Sequence, residues 1–233
     1  MDGRNHINKK LIICGSEGLI GKVLTKHFVN QGSNVIRVDK ILGHHLEDES
    51  FVEQFFEENA DASSLINLFA LNPQPEDISP DLLDTSLKSL REYLEINLVT
   101  LFSVCREYSR RAKAGSSVVN FSSIYGVRPP KHFIYTEGFT KHIGYAISKA
   151  GVISLTQFFA TRLAPKIRFN VVVPGGVEHD QPEDFERRYS AMTPAGRMMR
   201  GEELAGAVEY LIDDQSTYTT GSVLTVDGGW SAW

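Results

Sequence analysis

The chain has 233 residues, 42% hydrophobic and 23% charged, with Lys+Arg 24 against Asp+Glu 29 and a formal net charge of −5. This composition fills the core of one α/β domain over residues 1–233. It excludes disordered, collagen-like and fibrous classes, and its acidic balance supplies no general field to gather nucleic acid. The two cysteines, Cys14 and Cys105, lie far apart in apolar stretches and build neither a disulfide framework nor a metal site. The first ten residues lack the apolar core of a signal peptide, and no uncharged apolar run reaches the roughly 18 residues of a membrane span. A cytoplasmic protein without a membrane partner is the expectation.

Residues 10–14 form a short apolar run, and GSEGLIG at 15–21 leads into Leu19, Ile20, Val23, Leu24 and Phe28 at helical spacing. That pattern predicts strand, tight loop and helix. Gly32 stops the helix, and the β-branched Val35, Ile36 and Val38 predict a second buried strand ending at Asp39. A helix over Glu49–Glu58, a strand at Ser64–Phe69 and a loop marked by Pro73, Pro75 and Pro80 follow. Beyond them come a long helix from about Asp81 to Lys113, a strand at Ser117–Phe121, a helix from about Gly144 to Leu163 and a strand at Arg168–Val173. A helix near Glu202–Ile212 and a strand at Ser222–Val226 complete the order. Strands such as VVNF and FNVVV show no polar alternation, so both faces are buried, which predicts a doubly wound parallel sheet in three α/β/α layers. Segments 124–142 and 177–200 stand outside the alternation, each after the C-terminal end of a strand, where such sheets bind ligands. They are read as an active-site loop insertion and a substrate lid.

Gly15, Gly18 and Gly21 lie between strand and helix, where a glycine loop lets backbone approach a pyrophosphate; a tight turn without a ligand is the alternative. Asp39, ending the second strand about 20 residues on, can accept both ribose hydroxyls of an adenosine or be a solvated strand end. Its charge, with that of Glu17, favours NAD over NADP, although Arg37 and Lys40 flank it.

Tyr145 and Lys149 are four apart on one helical face. An adjacent ammonium stabilises phenolate and brings a phenol towards acid–base work at neutral pH; the plainer reading is a half-exposed helical face. Ser122 and Ser123 end a buried strand, where a hydroxyl can reach a substrate oxygen or satisfy local backbone. Asn97 is polar within the apolar LEINLVTLF. No Gly-x-Ser-x-Gly elbow is present, which argues against serine hydrolysis.

With CGSEGLIG, Asp39, LINLFA, Asn97, VNFSSIYG, YAISK, RFNVVVPGGV and TGSVLTVDGGW in this order, the chain resembles the short-chain dehydrogenase/reductase family over nearly its whole length. The resemblance implies a Rossmann fold and a catalytic tetrad of Asn97, Ser123, Tyr145 and Lys149. It also implies a nicotinamide dinucleotide held by Gly15, Ser16, Gly18, Leu19, Ile20, Gly21, Asp39, Leu46, Asn67, Leu68, Ala70, Tyr145, Lys149, Pro174, Gly175 and Val177. In such enzymes the Tyr exchanges a proton with the substrate oxygen, the Ser orients that oxygen, and the Lys binds nicotinamide ribose and lowers the Tyr pKa. The Asn holds a relay water.

Four features depart from the family pattern. The middle glycine is at 18, with Leu19 in the next place, and Leu68 and Phe69 replace a usual Ala-Gly. His45 and Leu46 stand where an adenine-contacting Asp ends the third strand, and Glu178 and His179 replace a Thr after PGGV. Patterns such as IYG…PPKHFIYTEG and TPAGRM look like members from bacterial surface-glycan and flagellin-modification pathways.

The cations Arg128, Lys131, His132, Lys141, His142, Arg187, Arg188, Arg197 and Arg200 in the two outlying segments suggest an anionic or highly hydroxylated small molecule, or merely solvated loops. Reduction of a β-ketoacyl or other small ketone is the enzymatic alternative, and a non-catalytic NAD sensor the alternative of another class. Similar proteins assemble as homotetramers or homodimers through the helices around 90–113 and 144–163, whose apolar residues could equally be buried within one subunit. Trp230 and Trp233 are candidates for an interface or a neighbouring pocket.

Overall fold

The structure, a computed structural model, describes residues 9–233; residues 1–8, which enter the signal-peptide argument, lie outside the described residues. Six strands form one parallel sheet: β1 Lys10–Cys14, β2 Asn34–Val38, β3 Ser64–Asn67, β4 Ser116–Phe121, β5 Ile167–Pro174 and β6 Val223–Val226. Their spatial order is β2-β1-β3-β4-β5-β6. Ile12 lies between Ile36 and Leu65, and Val118 between Leu65 and Phe169, so one apolar row crosses the sheet. The connecting helices are α1 Leu19–Asn30, α2 Glu49–Glu58, α3 Leu87–Leu94, α4 Thr100–Arg111, α5 Ile143–Leu163, α6 Glu183–Ala191 and α7 Ala205–Ile212.

Side chains alternate across a strand. Leu11 and Ile13 therefore pack with Leu24 and Phe28 of α1 and Val208 of α7. Ile12 and Cys14 pack with Val52 of α2, Val104 of α4 and Val152 of α5. Helices cover both faces, as the unbroken apolar strands require.

The helix expected across 81–113 is interrupted. Asp81 accepts the Leu83 amide at 2.9 Å and starts a short 3₁₀ turn, and Ser86 accepts the Lys88 amide at 3.2 Å and starts α3 afresh. These side chains compete with a continuous helix by bonding local backbone. Between α3 and α4 the chain widens into a π turn at Glu95–Val99, which carries Asn97. β3 stops at Asn67 rather than Phe69. His45 and Leu46 lie between a 3₁₀ turn at Lys40–Leu42 and α2, and no strand among the described residues ends there.

Segments 124–142 and 177–200 meet over the carboxyl ends of β4 and β5. Ile124, Ile134, Tyr189, Met198 and Trp230 close there into a third apolar cluster. Trp230 is fully buried, edge-on to Tyr125 and stacked on Tyr189, both at 6.0 Å; it belongs to the subunit's own core, whereas Trp233 is exposed. No helix among the described residues is long and apolar enough to cross a membrane.

Candidate active site

The carboxyl ends of β1, β3, β4 and β5 open into a cleft of about 540 Å³, at the point where the chain switches from one side of the sheet to the other. One wall is the glycine loop. Gly15 adopts φ 82°, and a Cβ there would lie 2.5 Å from the Phe69 backbone nitrogen; a Cβ on Gly21 would lie 2.1 Å from the Gly15 carbonyl oxygen. Only glycine lets the loop pass so close to β3 and α1. Gly18 precedes α1 and provides no side-chain cap, and the first turn holds no acidic residue, so Leu19, Ile20 and Gly21 present uncapped amides at the positive end of the helix. All three line the cleft. This cradle fits a pyrophosphate.

Asp39 fastens the cradle to β2. Its Oδ2 accepts the Glu17 amide at 2.9 Å and its Oδ1 the Ile41 amide at 3.1 Å, which leaves acceptor capacity on both oxygens. Arg37 is drawn to Glu17 at 3.2 Å, and the buried Ser16 hydroxyl donates to the same carboxylate at 3.1 Å. Leu68, Ala70, Pro174, Gly175 and Val177 line the cleft, but Ser16, Asp39, Leu46, Asn67 and Asn97 do not. Asn67 donates to Asn120 at 2.8 Å, and Leu46 packs in the same layer, under α2, α4 and α5.

The opposite wall grows from α5. His142 begins the helix by accepting the Gly144 amide at 3.1 Å through Nδ1, and its ring stacks on Tyr93 at 4.6 Å. From that fixed first turn project Tyr145 and, one turn on, the buried Lys149. Lys149 Nζ donates to the Phe121 carbonyl at 2.9 Å and lies 5.8 Å from the Tyr145 ring centre. Burial lowers the Lys149 amine to about 8. Burial also pushes the Tyr145 phenol up, against an opposing hydrogen bond with Ser123. In the protein alone desolvation therefore dominates, and the phenol is raised rather than acidified as expected. Asn97 works behind this wall: it accepts the Leu71 amide at 2.6 Å and donates to the Ser148 hydroxyl at 2.9 Å, and Ser148 donates to the Tyr145 carbonyl at 2.8 Å.

The remaining wall is aromatic, with Tyr125, Tyr135, Phe139, Phe185 and Tyr189. Sequence reasoning missed these residues; the aromatic content of 124–142 is the signal that could have found several of them. The expected ring of cations over the cleft does not form. His142 caps α5, and Lys131 lies over Trp230 at 4.7 Å. Arg187 pairs with Asp184, Arg197 and Arg200 pair with Glu203, and Arg188 donates to the Ile134 carbonyl at 2.8 Å. Of the nine, Lys141 alone lines the cleft.

The family described as enoyl-(acyl carrier protein) reductase matches residues 30–231. An uncharacterized short-chain type dehydrogenase/reductase of Sinorhizobium fredii is 33% identical over 94% of this chain, which spans 43% of that relative's length. The post-translational flagellin modification protein A of Campylobacter coli is 26% identical over 96% of this chain and 98% of its own. A crystal structure of a short-chain dehydrogenase from Leptospira borgpetersenii with bound NAD+ superposes with a TM-score of 0.87 at 26% identity, covering 99% of this chain and 96% of that one. With the glycine cradle, the Tyr145–Lys149 helix and these matches together, the chain belongs to the short-chain dehydrogenase/reductase family.

Proposed function

We propose that this protein is a nicotinamide-dependent oxidoreductase that interconverts a hydroxyl and a carbonyl on a polar, sugar-like small molecule. The observation that carries the reading is the convergence of Tyr145, Ser123 and Lys149 on the same cleft as the glycine cradle. The bound nicotinamide supplies the hydride acceptor or donor. Tyr145 takes the hydroxyl proton in oxidation and returns it in reduction, and the Ser123 hydroxyl holds the reacting oxygen beside the phenol. Lys149, with one N–H on the Phe121 carbonyl, keeps two for ribose hydroxyls, and its charge favours the phenolate. Asn97 acts as a positioning residue through Ser148. The amides of Leu19, Ile20 and Gly21 are assigned to the pyrophosphate, and Leu68, Ala70, Pro174, Gly175 and Val177 to the dinucleotide-facing walls. For Ser16, Leu46 and Asn67 the role is support of the walls rather than side-chain contact.

NAD is favoured over NADP because Asp39 and Glu17 both place carboxylates at this end and Arg37 is already turned to Glu17. A lower KM for NADP than for NAD would overturn that preference. For the substrate, burial raises the pKa of Tyr125, Tyr135 and Tyr189, so all three phenols stay protonated. Tyr125 and Tyr135 are hydrogen-bonded to each other, and the remaining O–H of that pair and the Tyr189 O–H are donors beside aromatic faces, which suits a hydroxylated ring. The name of the Campylobacter relative, a flagellin modification protein, is in keeping with this reading. Relatives named 3-oxoacyl-[acyl-carrier-protein] reductase, from Chlamydia muridarum and Aquifex aeolicus, favour a second one, an acyl-carrier ketone. Following absorbance of reduced nicotinamide against sugar derivatives and acyl-thioester ketones separates them: turnover of the thioesters with inert sugars would reverse the choice. Self-association through α4 and α5 is supported by the exposed Phe102 and Phe158.

A further inference from the structure

Lys141 stands apart from every other cation of the two outlying segments. Its Nζ lies 4.4 Å from the centre of the Tyr145 ring, on the cleft wall. Asn72 holds it there, accepting at 2.6 Å through Oδ1 and at 3.2 Å through its backbone carbonyl. Two of its three N–H groups are thereby used, and no ion pair to a carboxylate is present among the described residues. A partly desolvated ammonium without a counter-ion is unfavourable until an anion reaches it. The neighbouring phenols are neutral and cannot serve.

We propose that Lys141 anchors an anionic group of the substrate, and that the site takes a polyhydroxylated carboxylate whose charged end lies a few bonds from the reacting carbon. The proposal rests on the oxidoreductase reading above. The short span follows from geometry, because the amine sits against the ring of the tyrosine that exchanges the substrate proton. One free N–H and a single positive charge match a monoanionic carboxylate better than a phosphate dianion, whose second charge would find no counter-charge beside Lys141. The reaction is alcohol oxidation and its reverse. The C–H and O–H bonds of the carbinol break, a C=O bond forms, NAD is reduced by the hydride, and the proton passes to Tyr145 and on to solvent.

Calorimetry on the protein with saturating NAD tests this with matched probes: D-gluconate against D-sorbitol, D-mannonate against D-mannitol, and D-glucuronate against D-glucose. In at least one pair the acid binds about tenfold or more tighter, the scale of one charge-assisted hydrogen bond. Lys141→Met and Lys141→Gln erase that preference, and Lys141→Arg keeps most of it. Asn72→Ala, which frees the amine, weakens it. With the preferred acid as substrate, Lys141→Met raises KM more than it lowers kcat, whereas a merely structural defect lowers binding of acid and neutral partner alike. Equal affinity within all three pairs, including no measurable binding of either member, overturns the assignment, as does a preference that survives in both neutral variants. Failure of NAD itself to bind takes down the oxidoreductase reading as well; NAD binding without acid preference sinks the Lys141 assignment alone.

Discussion

The two halves of the cleft are held by different kinds of contact. On the nucleotide side, backbone fixes backbone: Gly15 donates to the Val38 carbonyl at 2.7 Å and Leu68 to the Cys14 carbonyl at 2.8 Å, with Asp39 closing the loop onto β2. On the substrate side, rings fix rings. Tyr135 stacks on Phe139 at 4.7 Å and leans on Phe185 at 5.2 Å, and Trp230 is held between Tyr125 and Tyr189. A platform tied through its main chain depends on local conformation and on a few glycines. A wall of interlocking rings depends on volume, and its residues can change without disturbing the cofactor platform.

Three substitutions press on this contrast. The largest effect belongs to Tyr145→Phe, which lowers kcat/KM by about 10²–10⁴-fold, the usual contribution of general acid–base catalysis, while calorimetry finds cofactor affinity retained. Equal loss of cofactor affinity would show that the halves are not separable. Next, Trp230→Ala empties the centre of the ring cluster and costs about 3–5 kcal/mol in denaturant unfolding. A cost under about 1 kcal/mol, within the range of an ordinary substitution, would mean that the cluster does not hold the substrate side together. Gly21→Ala costs about 1–3 kcal/mol, because its Cβ would press on the Gly15 carbonyl, and it also lowers NAD affinity by displacing the uncapped amides. Unchanged NAD affinity in that variant would detach the cradle from the cofactor.

The same contrast explains what was legible in the sequence. Strand and helix positions around the cradle follow from local apolar periodicity and glycine placement, so β1, α1 and α2 fall where expected. The break near Ser86 and the π turn at Asn97 depend on particular side-chain bonds, which a run of helix-forming residues conceals. In the outlying segments, composition showed charge but not pairing: Glu203 claims two arginines and a helix start claims His142. Tyr189 reaches the cleft only because α6 folds back over β5, with the Gly176 amide donating to its hydroxyl at 2.6 Å. Such a contact has no local signature.

Lys149 sits where the halves meet, and its charge gives the most discriminating test. Burial takes its amine from the ordinary 10.5 to about 8. Below about pH 8 the ammonium is charged in both folded and unfolded chains, and folding bears the full cost of burying it. Between about pH 8 and 10.5 the unfolded chain binds a proton that the folded chain releases, so stability rises with pH by at most about 1.4 kcal/mol per unit. Lys149→Met keeps the apolar stem and removes the charge. Wild type therefore gains on the variant as pH is raised from about 7 to 10 in paired unfolding measurements. Lys141, lowered to about 8 by the same cause, is present in both chains and cancels in the difference. A gap that stays constant across this window would mean that Lys149 meets solvent instead of the closed wall beneath Tyr145, and the phenol would then lack the buried charge on which its proton transfer depends.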